Sequence, residues 1–168
     1  MTVVAHGVLY VHSAPHAICP HVEWAAGRVL GRAIHFDWAD QPALRGTRRA
    51  EFRWDGAPGA GATLASALRG WHDVRYEVTE DATAGMDGGR WLHTPRLGVF
   101  FAQTDSVGNV VVPEDLLRHA MEGAGMNGAE LRRRLEGALG QAWDDELEPF
   151  RYAGDACRSL RVLHRVVG

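Results

Sequence analysis

The chain has 168 residues, 46% apolar and 23% charged, a balance that suits one domain (1–168) with a substantial core. Its formal charge of −3 and pI near 6.3 argue against a protein that coats nucleic acid, while leaving room for local basic patches. All eighteen basic residues are Arg, which excludes a lysine Schiff base, a lysine general base and a phosphate-loop lysine.

Two distant thiols, Cys19 and Cys157, and a start without a basic, apolar signal segment predict a reducing cytoplasm. No apolar run approaches the roughly 20 residues that cross a bilayer, so no membrane association is expected.

In chain order, residues 7–12 (GVLYVH) are rich in β-branched and aromatic side chains and read as a first strand. A helix should begin near Cys19, with Pro20 at the position where a missing N–H costs nothing, and end before Gly31. Val22, Ala25, Ala26, Val29 and Leu30 share one face of it, and His21, Trp24 and Arg28 form a second row. Ile34, Phe36 and Trp38 alternate with polar residues, as do Ala50, Phe52 and Trp54, which predicts a hairpin with Trp38 and Trp54 as neighbours on its inner face. The polar loop between them, 41–48, brings Arg45, Arg48 and Arg49 to the surface.

Residues 62–68 predict a second helix with Leu64, Ala65 and Leu68 facing inward, and Val74, Tyr76 and Val78 a further strand. Strand, helix, strand, strand, helix, strand is the order of a ferredoxin-like βαββαβ core in an α+β fold. Residues 81–93 then read as a glycine-rich loop, and 97–103 with 109–112 as an added hairpin. C-terminal helices follow, one from Pro113 to about Glu122 and a longer one capped by Asn127 with Glu130 and carried through Trp143. Asp144, Asp145, Glu146 and Glu148 would crowd that helix's C-terminal end, where the macrodipole disfavours them, so Arg151 is expected to offset them. The tail, 159–167, alternates as a final strand would.

The stretches CPHVEW (19–24), ASALR (65–69), EVTED (77–81), HTPRLG (93–98), and AWD (142–144) with ELEP (146–149) resemble an actinobacterial family of uncharacterised proteins over nearly the whole chain. That resemblance supplies no catalytic residue to transfer and leaves any cofactor unknown; it implies a gene neighbourhood close to fatty-acid synthesis.

Four candidate chemistries remain. His12, His16, Cys19 and His21 offer imidazole and thiolate ligands within ten residues, the donor types zinc prefers. Gly59 and Gly61 open a helix whose backbone N–H groups could hold an anion such as the pyrophosphate of CoA. Glu77, Glu80, Asp81 and His93 flank one loop and could supply acid/base groups, and Glu77, Glu80 and His93 ligand contacts. The row of His21, Trp24 and Arg28 offers a half-aromatic, half-polar wall for a ligand or partner. The arginines at 45–49 and 132–134 suit an acidic, carrier-like protein partner. The expectation is a non-enzymatic binding or accessory protein, connected with fatty-acid or acyl metabolism. The alternatives are a small acyl- or CoA-dependent transferase, with a small acyl ligand, and a metal-binding protein.

Overall fold

The computed structural model describes the backbone of residues 3–166 and the side chains of residues 3–153. β1 (Ala5–Pro15) turns its alternate residues Leu9 and Val11 into the core and leads through a 3-10 turn (His16–Ile18) into α1 (Cys19–Leu30). Pro20 sits in the first turn of α1, Val22, Ala25 and Ala26 are buried along its inner face, and Gly31 closes it in the left-handed conformation. β2 (Ala39–Asp40), β3 (Thr47–Gly56), α2 (Ala60–Leu68) and β4 (Arg75–Glu80) follow, then β5 (Gly88–Thr94), β6 (Gly98–Thr104) and β7 (Val110–Val111). The chain continues into α3 (Glu114–Ala124), α4 (Gly128–Leu139) and α5 (Gln141–Val166).

Among the described residues this is a mixed α/β fold of five α-helices and one antiparallel sheet, in the order β2-β3-β1-β4-β5-β6-β7. That seven-stranded order differs from the ferredoxin-like βαββαβ core with one added hairpin expected from the sequence. α1 and α2 pack together on one face, over a core that includes Leu9, Val11, Leu64, Leu68, Val74 and Val78. Each such buried aliphatic side chain is worth about 1.5–3 kcal/mol of transfer free energy. Because neighbours along a strand point to opposite faces, Tyr76, whose hydroxyl donates to the Ala65 carbonyl of α2, leaves Glu77 on the far side, under α5. There Leu92 and Leu147 are fully buried, the rings of Phe100 and Trp143 lie 5.0 Å apart, and the Trp143 Nε1–H donates to the Gly98 carbonyl at 2.9 Å.

Several expectations are corrected. Residues 34–38 keep their alternation, with Ile34 and Phe36 buried and His35 and Asp37 exposed, yet they form no strand. Glu23 of α1 accepts the Phe36 N–H at 2.8 Å and the Trp38 Nε1–H at 2.9 Å, so the segment is tied to the helix and β2 shrinks to two residues. The ring pairs observed there are Phe36 with Trp38 and Phe36 with Phe52. The supposed loop 81–93 ends in a full strand, because Gly88 and Gly89 belong to β5; a Cβ on Gly89 would come within 2.4 Å of the Trp91 ring.

The long last helix is broken at Gly140, whose φ of 78° closes α4 and whose missing side chain leaves room for the Phe100 ring. Asn127 does cap α4, accepting the Glu130 N–H at 3.1 Å. The break reverses the electrostatics of the acidic run. Asp144 lies in the first turn of α5, where the macrodipole favours a carboxylate. The expected final strand at 159–167 is helical through Val166, the remainder lying outside the described residues; Leu160 with Leu163 and Val162 with Val166 keep helical spacing equally well.

Candidate functional site

The densest arrangement of charge lies between the sheet and α5. Glu77 on β4 is buried, and its Oε1 accepts from Arg90 Nε on β5 at 2.7 Å. Its Oε2 accepts from Arg151 Nη2 on α5 at 2.9 Å and faces His12 Nε2 on β1 at 3.3 Å. Asp144 closes the ring, accepting from Arg90 Nη2 at 2.8 Å and from Arg151 Nη1 at 2.9 Å. Burial alone would push the Glu77 carboxyl upward, but the His12 hydrogen bond and the Arg90 and Arg151 charges outweigh it and hold it well below the ordinary carboxylate range. The two carboxylates and two guanidiniums balance in charge, a polar joint that ties α5 to β4 and β5.

Glu80, three residues on, points to the opposite face and occupies the start of α2. Its Oε1 accepts the Gly59 N–H at 2.7 Å and its Oε2 the Gly61 N–H at 2.8 Å. The backbone groups considered for an external anion are therefore held by the chain's own carboxylate, a built-in substitute for a capping side chain. His93 stacks on Tyr76 with ring centroids 4.9 Å apart, and its Nδ1 lies 2.7 Å from the Val74 carbonyl, the geometry of an Nδ1–H donor. Burial lowers its pKa below 6.5, with the Val74 bond opposing in part. Glu77, Glu80 and His93 are thus not brought together: Glu77 faces α5, and the other two face the α1–α2 layer.

The stretch from His12 to His21 is dispersed as well. His12 is buried against Glu77, the Cys19 thiol donates to the Pro15 carbonyl at 3.5 Å, and His16 and His21 are exposed. Burial raises the Cys19 thiol pKa, against the nearby charge of Arg48. Among the described residues no group of three or more His, Cys, Asp or Glu is placed to hold a metal ion. Cys157 lies outside the described side chains.

Three features do face solvent. On α1, Trp24 is 60% exposed, the Arg28 guanidinium sits 5.0 Å over its ring, and the His21 ring lies 6.5 Å from that of Trp71. Around the start of α1, His16, Asp40, Gln41, Arg45 and Arg48 line an open cleft of about 430 Å³. A second shallow cleft is lined by Thr79, Asp81, Arg90, Thr104 and Asp105.

The residues that sequence reasoning missed are Arg90 and the Asp144–Arg151 pair as members of one ring. Only the seven-residue spacing of Asp144 and Arg151, which puts both on one helical face, signals it; their partners are 54 to 74 residues away. No helix among the described residues is long and apolar enough to cross a membrane.

The pattern of a family of proteins of unknown function, DUF3145, matches residues 8–165. No curated protein and no solved structure matches the chain. Since that match takes in almost its full length, the chain belongs to the DUF3145 family.

Proposed function

We propose that the protein is a cytoplasmic, non-enzymatic binding or accessory module that presents the outer row of α1 to an acidic, carrier-like protein in acyl metabolism. The observation that carries this reading is Trp24, a large aromatic left 60% exposed on a helix and topped by a guanidinium. Exposed Trp and Arg side chains of this kind are the anchors that dominate protein interfaces. Charge complementarity favours an acidic partner: Glu23, the one acid on α1, is bound to Phe36 and Trp38, which leaves the Arg28 guanidinium as the charge facing outward beside Trp24.

The interior supports the non-enzymatic reading, because Glu77, Glu80 and His93 each have structural partners. The acyl- or CoA-transferase alternative would need the Gly59 and Gly61 N–H groups, which Glu80 holds. The succession β4-β1-β3-β2, with α1 and α2 on one face, supports a split βαβ origin for the first half, extended by β5–β7. Binding to an acyl carrier protein, followed by titration calorimetry at low and high salt, tests the proposal. Affinity should fall at least about tenfold in Trp24→Ala and Arg28→Glu. Equal affinity in both variants, or no binding by the parent chain, would overturn it.

A further inference from the structure

We infer that the open cleft between the His16–Ile18 turn and the β2–β3 connection is a site for a small tetrahedral oxyanion of the phosphate class, gripped by Arg45 and Arg48 with His16 at its rim. This does not rest on the Trp24 surface. The first support is how the arginines of this chain are matched. Arg32 pairs with Asp55, Arg90 and Arg151 with Glu77 and Asp144, Arg118 with Glu114, Arg132 with Glu136, and Arg133 and Arg134 with Glu130. Arg45 has no salt bridge or side-chain hydrogen bond among the described residues; Arg28 and Arg69 share that lack, but Arg45 alone of the three lines a cleft together with a second weakly paired guanidinium. Arg48 has only Asp40 at 3.8 Å, beyond hydrogen-bond length, and that carboxylate, at the cleft rim, is 92% exposed. Two under-matched guanidiniums on one cleft wall make a fork pair suited to a multi-oxygen anion, which each can grip through two N–H groups.

The second support is that the wall is braced before any ligand arrives. Gln41, buried at 3% exposure, donates its amide to the His12 and Phe150 carbonyls at 2.6 and 3.3 Å and accepts the Ala43 N–H at 2.9 Å. The loop is closed by bonds from the Gln41 N–H to the Thr47 carbonyl, from the Thr47 N–H to the Leu44 carbonyl, and from the Thr47 hydroxyl to that same carbonyl. Arg45 and Arg48 therefore stand on a fixed platform, so little backbone order is lost on binding. The volume sits at the small end of ligand pockets, and its openness to water limits affinity to about the millimolar to high-micromolar range.

The test uses the full chain, isotopically labelled, titrated with inorganic phosphate and separately with glycerol 3-phosphate at ionic strength held constant with chloride. Saturable amide shifts centred on His16 and residues 45–48 are expected with one or both probes. Equal midpoints assign recognition to the phosphate group itself, and tighter binding of the ester adds contacts from its organic part; either supports the site. Arg45→Gln and Arg48→Gln should each weaken binding by roughly tenfold and the double variant should abolish it, while Arg132→Gln leaves it unchanged. The inference is overturned if neither probe gives saturable shifts in the parent chain, or if the shifts scatter over all exposed arginines. The parent-chain map decides this even where a variant fails to fold.

Discussion

Under α1 and α2 the sheet shows Leu9, Val11, Val78 and Tyr76; its other face, under α5, shows Tyr10, His12 and Glu77 of the same strands and Arg90 of β5. The apolar side holds its helices by non-directional transfer free energy, which grades smoothly with area and tolerates exchange of one aliphatic for another. The polar side holds α5 by a ring of five side chains that fit in one register only. Its desolvation cost offsets much of its attraction, so its main effect is to fix where α5 sits. A face of the first kind loses stability in proportion to what is removed, and a face of the second kind loses it abruptly.

The largest effect is therefore expected from Glu77→Gln, which leaves Arg90 and Arg151 facing one carboxylate instead of two. Urea unfolding should show a loss of about 3–5 kcal/mol, the usual range for breaking a buried ion pair from one side. If the loss stays below that of a surface substitution, the ring does not secure α5. On the other face, Leu64→Ala should cost about 2–5 kcal/mol by cavity formation, while Leu64→Met should cost less than about 1.5 kcal/mol. No comparable conservative exchange should rescue Glu77.

Acidification separates the two faces further. The folded-state pKa of His93 lies below 6.5 and that of Glu77 below 4.5. In both cases the unfolded chain binds more protons than the folded one, so stability is full above the unfolded pKa and declines as pH falls through it. The midpoint of thermal unfolding should drop in two stages, from about pH 6.5 and again from about pH 4.5. His93→Gln should remove the upper stage alone; an unchanged profile in that variant would break the assignment.

A smaller effect is expected from Glu80→Gln, about 1–2 kcal/mol, the scale of losing a helix cap. Smallest is Trp24→Ala, which should change unfolding free energy by no more than about 0.5 kcal/mol because the ring is mostly in water. A larger loss there would mean that Trp24 is structural.

The difference between the faces also explains what could be read from the sequence. α1 was legible from Pro20, the Val22–Ala25–Ala26 stripe and Gly31, all within a dozen residues, and Asn127 announced α4 in the same way. The outer row of His21, Trp24 and Arg28 followed from that periodicity and is exposed. The α5 side was not legible, because the helical spacing of apolar residues runs through Gly140 without a gap, and nothing local says that Phe100 will fill the space beside it. The ring depends on strand register and on a helix arriving from far along the chain. Likewise the alternation at 34–38 reports burial correctly and cannot report that Glu23 will claim the backbone.

Glu80 has a consequence for the order in which the chain assembles. α2 is nine residues long and rich in Ala, too short to persist by itself, and the carboxylate that completes its first turn lies 19 and 21 residues downstream. A growing chain that has not yet reached β4 cannot finish α2. Once β4 pairs beside β1, strand and helix lock in one event, so the first half condenses as a unit and α5 has a completed surface on which to close.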